Sequence, residues 1–247
     1  MLYDTLIIGS GYAPLGYALT GGNTLICEAS ELCDTEFCMP VRGFGRVADL
    51  CEYPLGRELL DYYERLGIIR DGVPNTTALE CGFCGFAIEH GADIRLKCRV
   101  VDTVRADDGV ITARLISGGG IEHVYARRVI DMRTPAGLRY LTFLFTADSK
   151  NDVDAIASAF PEAEIEPAFY DGRYAMYLPI GDEDYVTAKA AVYERWRDSD
   201  GGAKLLYTAP VVCVRSAGGR EVPADADHTD IISAFEAGIR YAESTEV

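Results

Sequence analysis

The sequence is poor in basic residues and contains no long apolar run. Its 23 lysines and arginines are outnumbered by 39 aspartates and glutamates, which gives a formal net charge of -16 at pH 7. A chain this acidic repels the phosphates of nucleic acids and of anionic membranes, so neither is an expected partner. No apolar run approaches the ~20 residues that span a bilayer, and no charged segment followed by an apolar one indicates secretion. A cytoplasmic location is therefore expected.

Patterns for metal binding are also scarce. The sequence has three histidines and eight cysteines, and the cysteines are scattered along a chain that shows no secretion signal. Reduced thiols are therefore expected. Cys81 and Cys84 form a C-x2-C motif, but no second C-x2-C or C-x2-H motif accompanies it at metal spacing. We predict that these two cysteines pack within a helix and that the protein has no metal site.

The first 28 residues contain a pattern of strand, glycine turn, helix and strand. The apolar residues of LYDTLII predict a short buried strand that leads into GSGYAPLG, and NTLICE predicts the second strand. Gly9 permits a tight turn, Gly11 lets the backbone approach a pyrophosphate, and the helix N-terminus offers N–H groups to it. Glu28 would accept hydrogen bonds from adenosine ribose hydroxyls. A glycine turn that binds no nucleotide is the alternative.

Pro14 stands where this motif usually has glycine or alanine. Proline is accepted in the first turn of a helix, and it disfavours the α conformation in the residue before it. We therefore predict that the helix starts at Pro14. Gly11, Tyr12 and Ala13 would then form the loop that meets the pyrophosphate.

A long irregular stretch rich in glycine and proline follows Glu28. Its arginines, Arg42, Arg46 and Arg57, are candidates for binding a cofactor phosphate or an anionic substrate, with solvated surface residues as the alternative. Cys33 and Cys38 form a C-x4-C motif that resembles the redox disulfide of the glutathione-reductase-like flavoenzymes. The Gly-Gly-Thr segment that precedes the first cysteine in that family is absent here.

In the middle of the chain, the sequence pattern predicts two helices, over residues 57–68 and 75–91, and then a β-rich segment. Asp108-Gly109 and Gly118-Gly119-Gly120 divide this segment where hairpin turns are expected. Residues 93–106 are predicted to form the third strand of the nucleotide-binding sheet. The next two runs are predicted to form a β-meander, and ARRVIDM to return to the parent sheet.

This order of elements resembles the FAD-dependent oxidoreductases whose FAD domain is of the glutathione-reductase or fumarate-reductase type. The resemblance covers residues 1–28 and about 77–135. It implies FAD as the cofactor and an α/β fold, in which a Rossmann-like domain combines a parallel sheet with a three-stranded β-meander. Asp131 matches the aspartate of the family's Asp-Ala-Thr-Gly signature, although Met132-Arg133-Thr134 follows it. The implied cofactor contacts are Gly9, Gly11, Tyr12, Ala13, Pro14, Glu28, Ala29, Arg42, Val100, Asp131, Asp227 and His228.

The last part of the chain alternates between β and helical patterns. Residues 138–213 are predicted to form an α+β domain inserted into an FAD domain made of residues 1–137 and 214–247. In the resembled family such an insert covers the flavin and supplies the substrate face. Tyr170, Arg173, Tyr174 and Tyr177 lie on one predicted hairpin, where they would present hydroxyls and a cation to a ligand. Ordinary strand alternation explains them equally well.

A closing helix is predicted to begin near Asp227, which is a suitable N-cap residue. The resemblance implies that its N-terminus points at the flavin, so Asp225, Asp227 and His228 are candidate contacts. A role beside the helix cap is the alternative for His228.

The leading functional hypothesis is a small FAD-dependent oxidoreductase, or the FAD-bearing subunit of one. Such a protein would transfer hydride or electrons between the flavin and an unidentified small substrate or partner. Beside the FAD domain and the insert, the chain has no room for an NAD(P)H domain. The hypothesis therefore includes a partner subunit or a homo-oligomer. The alternatives are a non-catalytic flavin-binding or flavin-free scaffold and a flavin-linked thiol oxidoreductase that uses Cys33 and Cys38. No catalytic base or nucleophile stands out.

Overall fold

The computed structural model describes residues 1–34, 37–38, 40–41, 47, 51–133, 137–199, 202–216 and 230–245. The strands are β1 (Leu2–Ile8), β2 (Thr24–Cys27), β3 (Ile69–Arg70), β4 (Val73–Pro74), β5 (Asp93–Arg95), β6 (Arg99–Arg105), β7 (Ile111–Ser117), β8 (Gly120–Asp131), β9 (Gly137–Thr146), β10 (Glu164–Pro167), β11 (Arg173–Ile180), β12 (Lys204–Thr208) and β13 (Cys213–Ser216). The helices are α1 (Tyr12–Thr20), α2 (Pro54–Arg65), α3 (Leu79–Glu89), α4 (Lys150–Ala159), α5 (Tyr185–Arg197) and α6 (Ile231–Thr245). None of these helices is long and apolar enough to cross a membrane.

The first sheet is mixed and has the strand order β5-β2-β1-β8-β7-β6. Strands β5, β2, β1 and β8 are parallel, whereas β8, β7 and β6 pair in antiparallel succession. Ile8 at the end of β1 pairs with Cys27 of β2 on one side and with Asp131 of β8 on the other. The carboxyl ends of these three strands therefore meet at one edge of the sheet, and this confirms the predicted α/β fold with a parallel-containing sheet.

The prediction of a single strand over residues 93–106 is wrong. The segment forms two strands, since β5 pairs in parallel with β2 while β6 pairs with β7 at the other end of the strand order. Lys97 lies between them and has a φ of 51°, in the left-handed region. An extended strand does not continue through a residue in that conformation. The chain therefore leaves the parallel strands after Arg95.

Both faces of the parallel strands are covered. Ile7, Ile26 and Ile130 on one face share a buried cluster with Tyr17 of α1 and Ala242 of α6. On the other face, the buried cluster joins β1 and β2 to Cys98 and to residues of β7 and β8. A larger core links α1 and α6 to α2 and α3. The parallel strands are thus a rigid support for the loops at their carboxyl ends.

Helices α1 and α6 pack so closely that only glycine fits at their crossing. A Cβ atom on Gly16 would lie 2.0 Å from the carbonyl oxygen of Phe235. A Cβ atom on Gly238 would lie 1.9 Å from the carbonyl oxygen of Ala13. These are backbone atoms, which do not rotate away as a side chain does. The position of the α1 N-terminus therefore depends on α6.

The predicted start of α1 at Pro14 is wrong, because the helix begins at Tyr12 with Gly11 as its N-cap. The Leu15 N–H donates to the Gly11 carbonyl at 3.0 Å and closes the first turn. The first N–H groups of any helix lack an intrahelical acceptor, so Pro14 forfeits no hydrogen bond at the third position. Burial of Tyr12 and Ala13 overrides the preference against an α conformation before proline.

The N-cap prediction for the closing helix is also wrong. Helix α6 begins at Ile231, and its cap is Asp230, whose Oδ1 accepts from the N–H groups of Ile232 at 2.9 Å and Ser233 at 3.0 Å. The predicted contacts Asp225, Asp227 and His228 lie outside the described residues, as do Arg42 and Arg46.

The second sheet is antiparallel and has the order β10-β11-β9-β12, with β13 also paired to β9. Helices α4 and α5 cover it through a core that includes Phe143, Phe145 and Phe160. The sequence predicts one strand over residues 204–216, but β12 and β13 are separate, with Pro210 between them. The predicted domain boundary between residues 213 and 214 falls inside β13. The inserted domain stays a prediction.

Candidate functional site

Glu28 is held at the carboxyl end of β2 beside the glycine turn. Its side chain is buried, with 8% of the residue exposed. One carboxylate oxygen accepts from the N–H of Ser10 at 2.9 Å, and the other accepts from the N–H of Ser30 at 2.7 Å. A carboxylate offers about four acceptor positions, so Glu28 can accept further hydrogen bonds from a ligand. The contact with Ser10 also fixes the glycine turn to β2.

The glycine turn adopts backbone conformations that other residues rarely adopt. Gly9 has a φ of 99°, and Gly11 has a φ of 156° with a ψ of -171°. The second combination is almost restricted to glycine. Gly11 caps α1 without any side-chain hydrogen bond, and no acidic residue occupies the first turn. A helix N-terminus of this kind attracts an anion through its N–H groups and its dipole.

A cavity of about 440 Å³ opens beside this turn, and we call it the glycine-turn cavity. Its size falls within the range of small-molecule and cofactor sites. It is lined by Ile8, Gly9, Ser10, Pro14, Cys27, Glu28, Ala29, Cys98, Arg99, Val100, Met132 and Arg133. The cavity therefore brings together five of the predicted contacts, from three separate parts of the chain: Gly9, Pro14, Glu28, Ala29 and Val100.

Tyr12 and Ala13 do not line this cavity, and neither does Gly11 before them. Both residues are completely buried, and the Tyr12 hydroxyl is 2.8 Å from the hydroxyl of Tyr63 in α2. Burial raises the pKa of both tyrosines well above the ordinary value, which keeps the pair neutral. Gly11, Tyr12 and Ala13 can therefore offer only backbone groups of the helix start to a ligand.

Arg133 is a cation at the glycine turn that the sequence did not identify as a contact. Its Nε donates to Asp131 Oδ1 at 2.8 Å, and its backbone N–H donates to the same oxygen at 3.1 Å. Hydrogen bonding to Asp131 raises the pKa of Arg133, and the charge of Glu28 adds to the effect. A Cβ atom on Gly9 would lie 2.9 Å from Arg133 Cγ, so this side chain lies directly over the turn. Asp131 thus positions a cation at the cavity.

A second, smaller cavity lies between the β3–β4 hairpin and the second sheet. Its lining includes Tyr170, Arg173 and Tyr177 of the predicted ligand-facing hairpin. The Arg173 guanidinium lies 4.6 Å from the centre of the Tyr170 ring. Tyr174 is not part of this lining, and its ring stacks on Phe145 at 5.4 Å. Three of the four hairpin residues therefore share one cavity.

The structure does not show Cys33 and Cys38 as a thiol pair. Both are free thiols, and the sulfur of Cys33 lies 3.6 Å from the sulfur of Cys84 in α3. A redox role for Cys33 and Cys38 stays a prediction.

Comparisons with known proteins identify the fold. No protein-family model and no curated protein matches the sequence. A geranylgeranyl bacteriochlorophyll reductase-like protein from Thermoplasma acidophilum superposes with a TM-score of 0.64 at 15% identity, over 99% of this chain and 78% of that one. A flavoprotein/dehydrogenase from Cytophaga hutchinsonii superposes with a TM-score of 0.54 at 15% identity, over 100% of this chain and 80% of that one. Aklavinone-11 hydroxylase in complex with FAD and aklavinone superposes with a TM-score of 0.53 at 13% identity, over 99% of this chain and 63% of that one.

The chain has the fold of the FAD-dependent oxidoreductases. This confirms the resemblance stated from the sequence at the level of the fold. The chain spans 63% of the length of the hydroxylase. A shared fold does not determine activity, substrate or partners.

Proposed function

We propose that this chain binds FAD through the glycine-turn cavity and acts as an oxidoreductase, or as the FAD-bearing subunit of one. The observation that carries the proposal is the placement of a buried acceptor, a helix N-terminus and a cation around one cavity. Glu28, the start of α1 and Arg133 supply these three groups. Together they match a ribose joined to a pyrophosphate, which is the shape of the ADP half of FAD.

Each residue has a defined task in this proposal. Glu28 accepts from the ribose hydroxyls, and the backbone from Gly9 to Gly11 and the first turn of α1 hold the pyrophosphate. Val100 also lines the cavity, and its backbone groups would meet the adenine. Ala29 and Pro14 form an apolar part of the cavity wall. Arg42, Asp227 and His228 remain predicted contacts.

The flavin ring would supply the redox chemistry, and the protein would orient it and shield it from water. The residues of the second cavity are the proposed substrate side, with Tyr170 and Tyr177 as hydroxyl groups and Arg173 as a cation. The reductant is proposed to be a small molecule or a partner chain.

Arg133 provides the first test of this arrangement. Removing its charge by Arg133→Gln is expected to weaken FAD binding about tenfold, because one charge-assisted contact to the pyrophosphate is lost. FAD titration of the flavin-free protein measures this change. Arg127→Gln is the matched control, since Arg127 lies in β8, which ends two residues before Arg133, and its Nε is 3.5 Å from Asp4 Oδ1 near the start of β1. Equal affinities for both variants and the wild type would remove Arg133 from the site.

A further inference from the structure

Two cysteine motifs that are far apart in the sequence meet in the structure. Cys33 follows β2, Cys84 lies in α3, and their sulfur atoms are 3.6 Å apart. Glu80 lies one turn before Cys84 in the same helix, and its Oε1 is 3.6 Å from Cys84 Sγ. The three ligand atoms all lie within 4.8 Å of one another. Two thiols and a carboxylate are thus gathered at one point.

Hydrogen bonds hold this cluster in place. The Glu80 carboxylate accepts from the N–H groups of Cys33 at 2.7 Å and of Asp34 at 2.9 Å, which ties the segment after β2 to α3. The Asp34 carboxylate in turn accepts from the N–H of Cys38 at 3.1 Å. The sulfur of Cys38 does not belong to the group of ligand atoms that lie within 4.8 Å of one another. Cys33, Glu80 and Cys84 are therefore the ligand set that the fold brings together.

The cluster is rich in groups that become anionic on binding a metal. Cys33 is buried and Cys84 is half-buried, so both thiols are shielded from bulk solvent. Two thiols and one carboxylate form a donor set of the kind that binds zinc in proteins.

A divalent cation would replace the thiol protons, which pass to solvent, and its charge would offset those of the two thiolates and of the Glu80 carboxylate. In tetrahedral zinc sites a metal–sulfur distance of about 2.3 Å places two sulfurs about 3.8 Å apart. The distance of 3.6 Å between the sulfurs of Cys33 and Cys84 is close to this value. Sulfur ligands select zinc and similar metals over magnesium or calcium.

We propose that Cys33, Cys84 and Glu80 bind one thiophilic divalent cation of the zinc type, with solvent at the fourth position. The ion would join the segment after β2 to α3, beside the core formed by α1, α2 and α3. This proposal replaces the sequence prediction of no metal site. It is independent of FAD binding, because none of the three residues lines the glycine-turn cavity.

Cobalt titration of the full chain tests the site, after treatment with a reductant and a chelator. The wild type is expected to bind about one Co²⁺ per chain, with a thiolate-to-cobalt absorption band and the intense d–d bands of tetrahedral coordination. Zn²⁺ is expected to displace it. Cys38→Ser is expected to keep the charge-transfer band, since both ligating thiolates remain.

The Cys33→Ser/Cys84→Ser double variant is expected to lose the thiolate band and to bind Zn²⁺ about a hundredfold more weakly. Cys81→Ser is the matched control, because Cys81 is exposed on the same helix and should keep wild-type affinity. If the double variant does not fold, as judged by circular dichroism, the wild-type cobalt spectrum alone decides. The proposal is overturned by a wild type without thiolate bands, by unchanged zinc affinity in the double variant, or by a Cys33–Cys84 disulfide found by mass spectrometry of protein purified without reductant.

Discussion

Gly238→Ala is expected to lower the free energy of unfolding by about 3 kcal/mol, at the upper end of the usual cost of overpacking. The added Cβ would lie 1.9 Å from the Ala13 carbonyl oxygen and 2.8 Å from the Tyr17 nitrogen. Since both are backbone atoms of α1, the two helices must separate. Urea denaturation followed by circular dichroism measures the change.

Gly181→Ala is the control for this substitution, because a Cβ atom there meets nothing within 4 Å. Its effect is expected to stay within about 0.5 kcal/mol. Gly16→Ala is expected to resemble Gly238→Ala, since its Cβ would meet the Phe235 carbonyl oxygen at 2.0 Å. A Gly238→Ala protein as stable as Gly181→Ala would contradict the close packing of α1 against α6.

Glu28→Ala is expected to reduce FAD affinity about a hundredfold, which corresponds to about 2.7 kcal/mol. The variant loses the proposed acceptor for the ribose, and hydrogen bonds to a charged group contribute about 1.5 to 3 kcal/mol. It also leaves the N–H of Ser10 without the carboxylate that holds the glycine turn. Glutamine is a poor substitute, because both oxygens of Glu28 accept backbone N–H groups and an amide nitrogen cannot.

Fluorescence titration with FAD measures this loss, and Glu31→Ala is the control. Glu31 is three residues away and forms an exposed ion pair with Lys97 at 2.9 Å, so its removal should leave FAD affinity unchanged. Excess FAD is expected to raise the melting temperature of the wild type and of Glu31→Ala more than that of Glu28→Ala. Equal stabilisation of all three proteins by FAD would exclude Glu28 from the site.

The first βαβ unit could be predicted from the sequence because its signals are local. The apolar run of β1, the glycines after it and the acidic residue after β2 lie within 28 residues of one another. The start of α1 could not be predicted in the same way. Local preferences favour a start at Pro14, whereas burial of Tyr12 against α2 and α3 extends the helix back to Tyr12.

The missed residues depend on contacts between distant segments. Arg133 reaches the glycine turn because Asp131 pairs with Ile8, and that register is not visible in either segment alone. Cys33 and Cys84 meet because the Glu80 carboxylate binds the backbone after β2. Taken separately, neither the C-x4-C motif nor the C-x2-C motif supplies enough ligands for a metal site. The fold places them together.

Competition binding tests the central claim most directly. The flavin-free wild type is titrated with FAD in the presence of excess ADP or excess FMN. The proposed contacts of Glu28, the α1 N-terminus and Arg133 all belong to the ADP half of FAD, so ADP is expected to compete and FMN is not. Failure of FAD to bind, or competition by FMN but not by ADP, would contradict the assignment of the glycine-turn cavity.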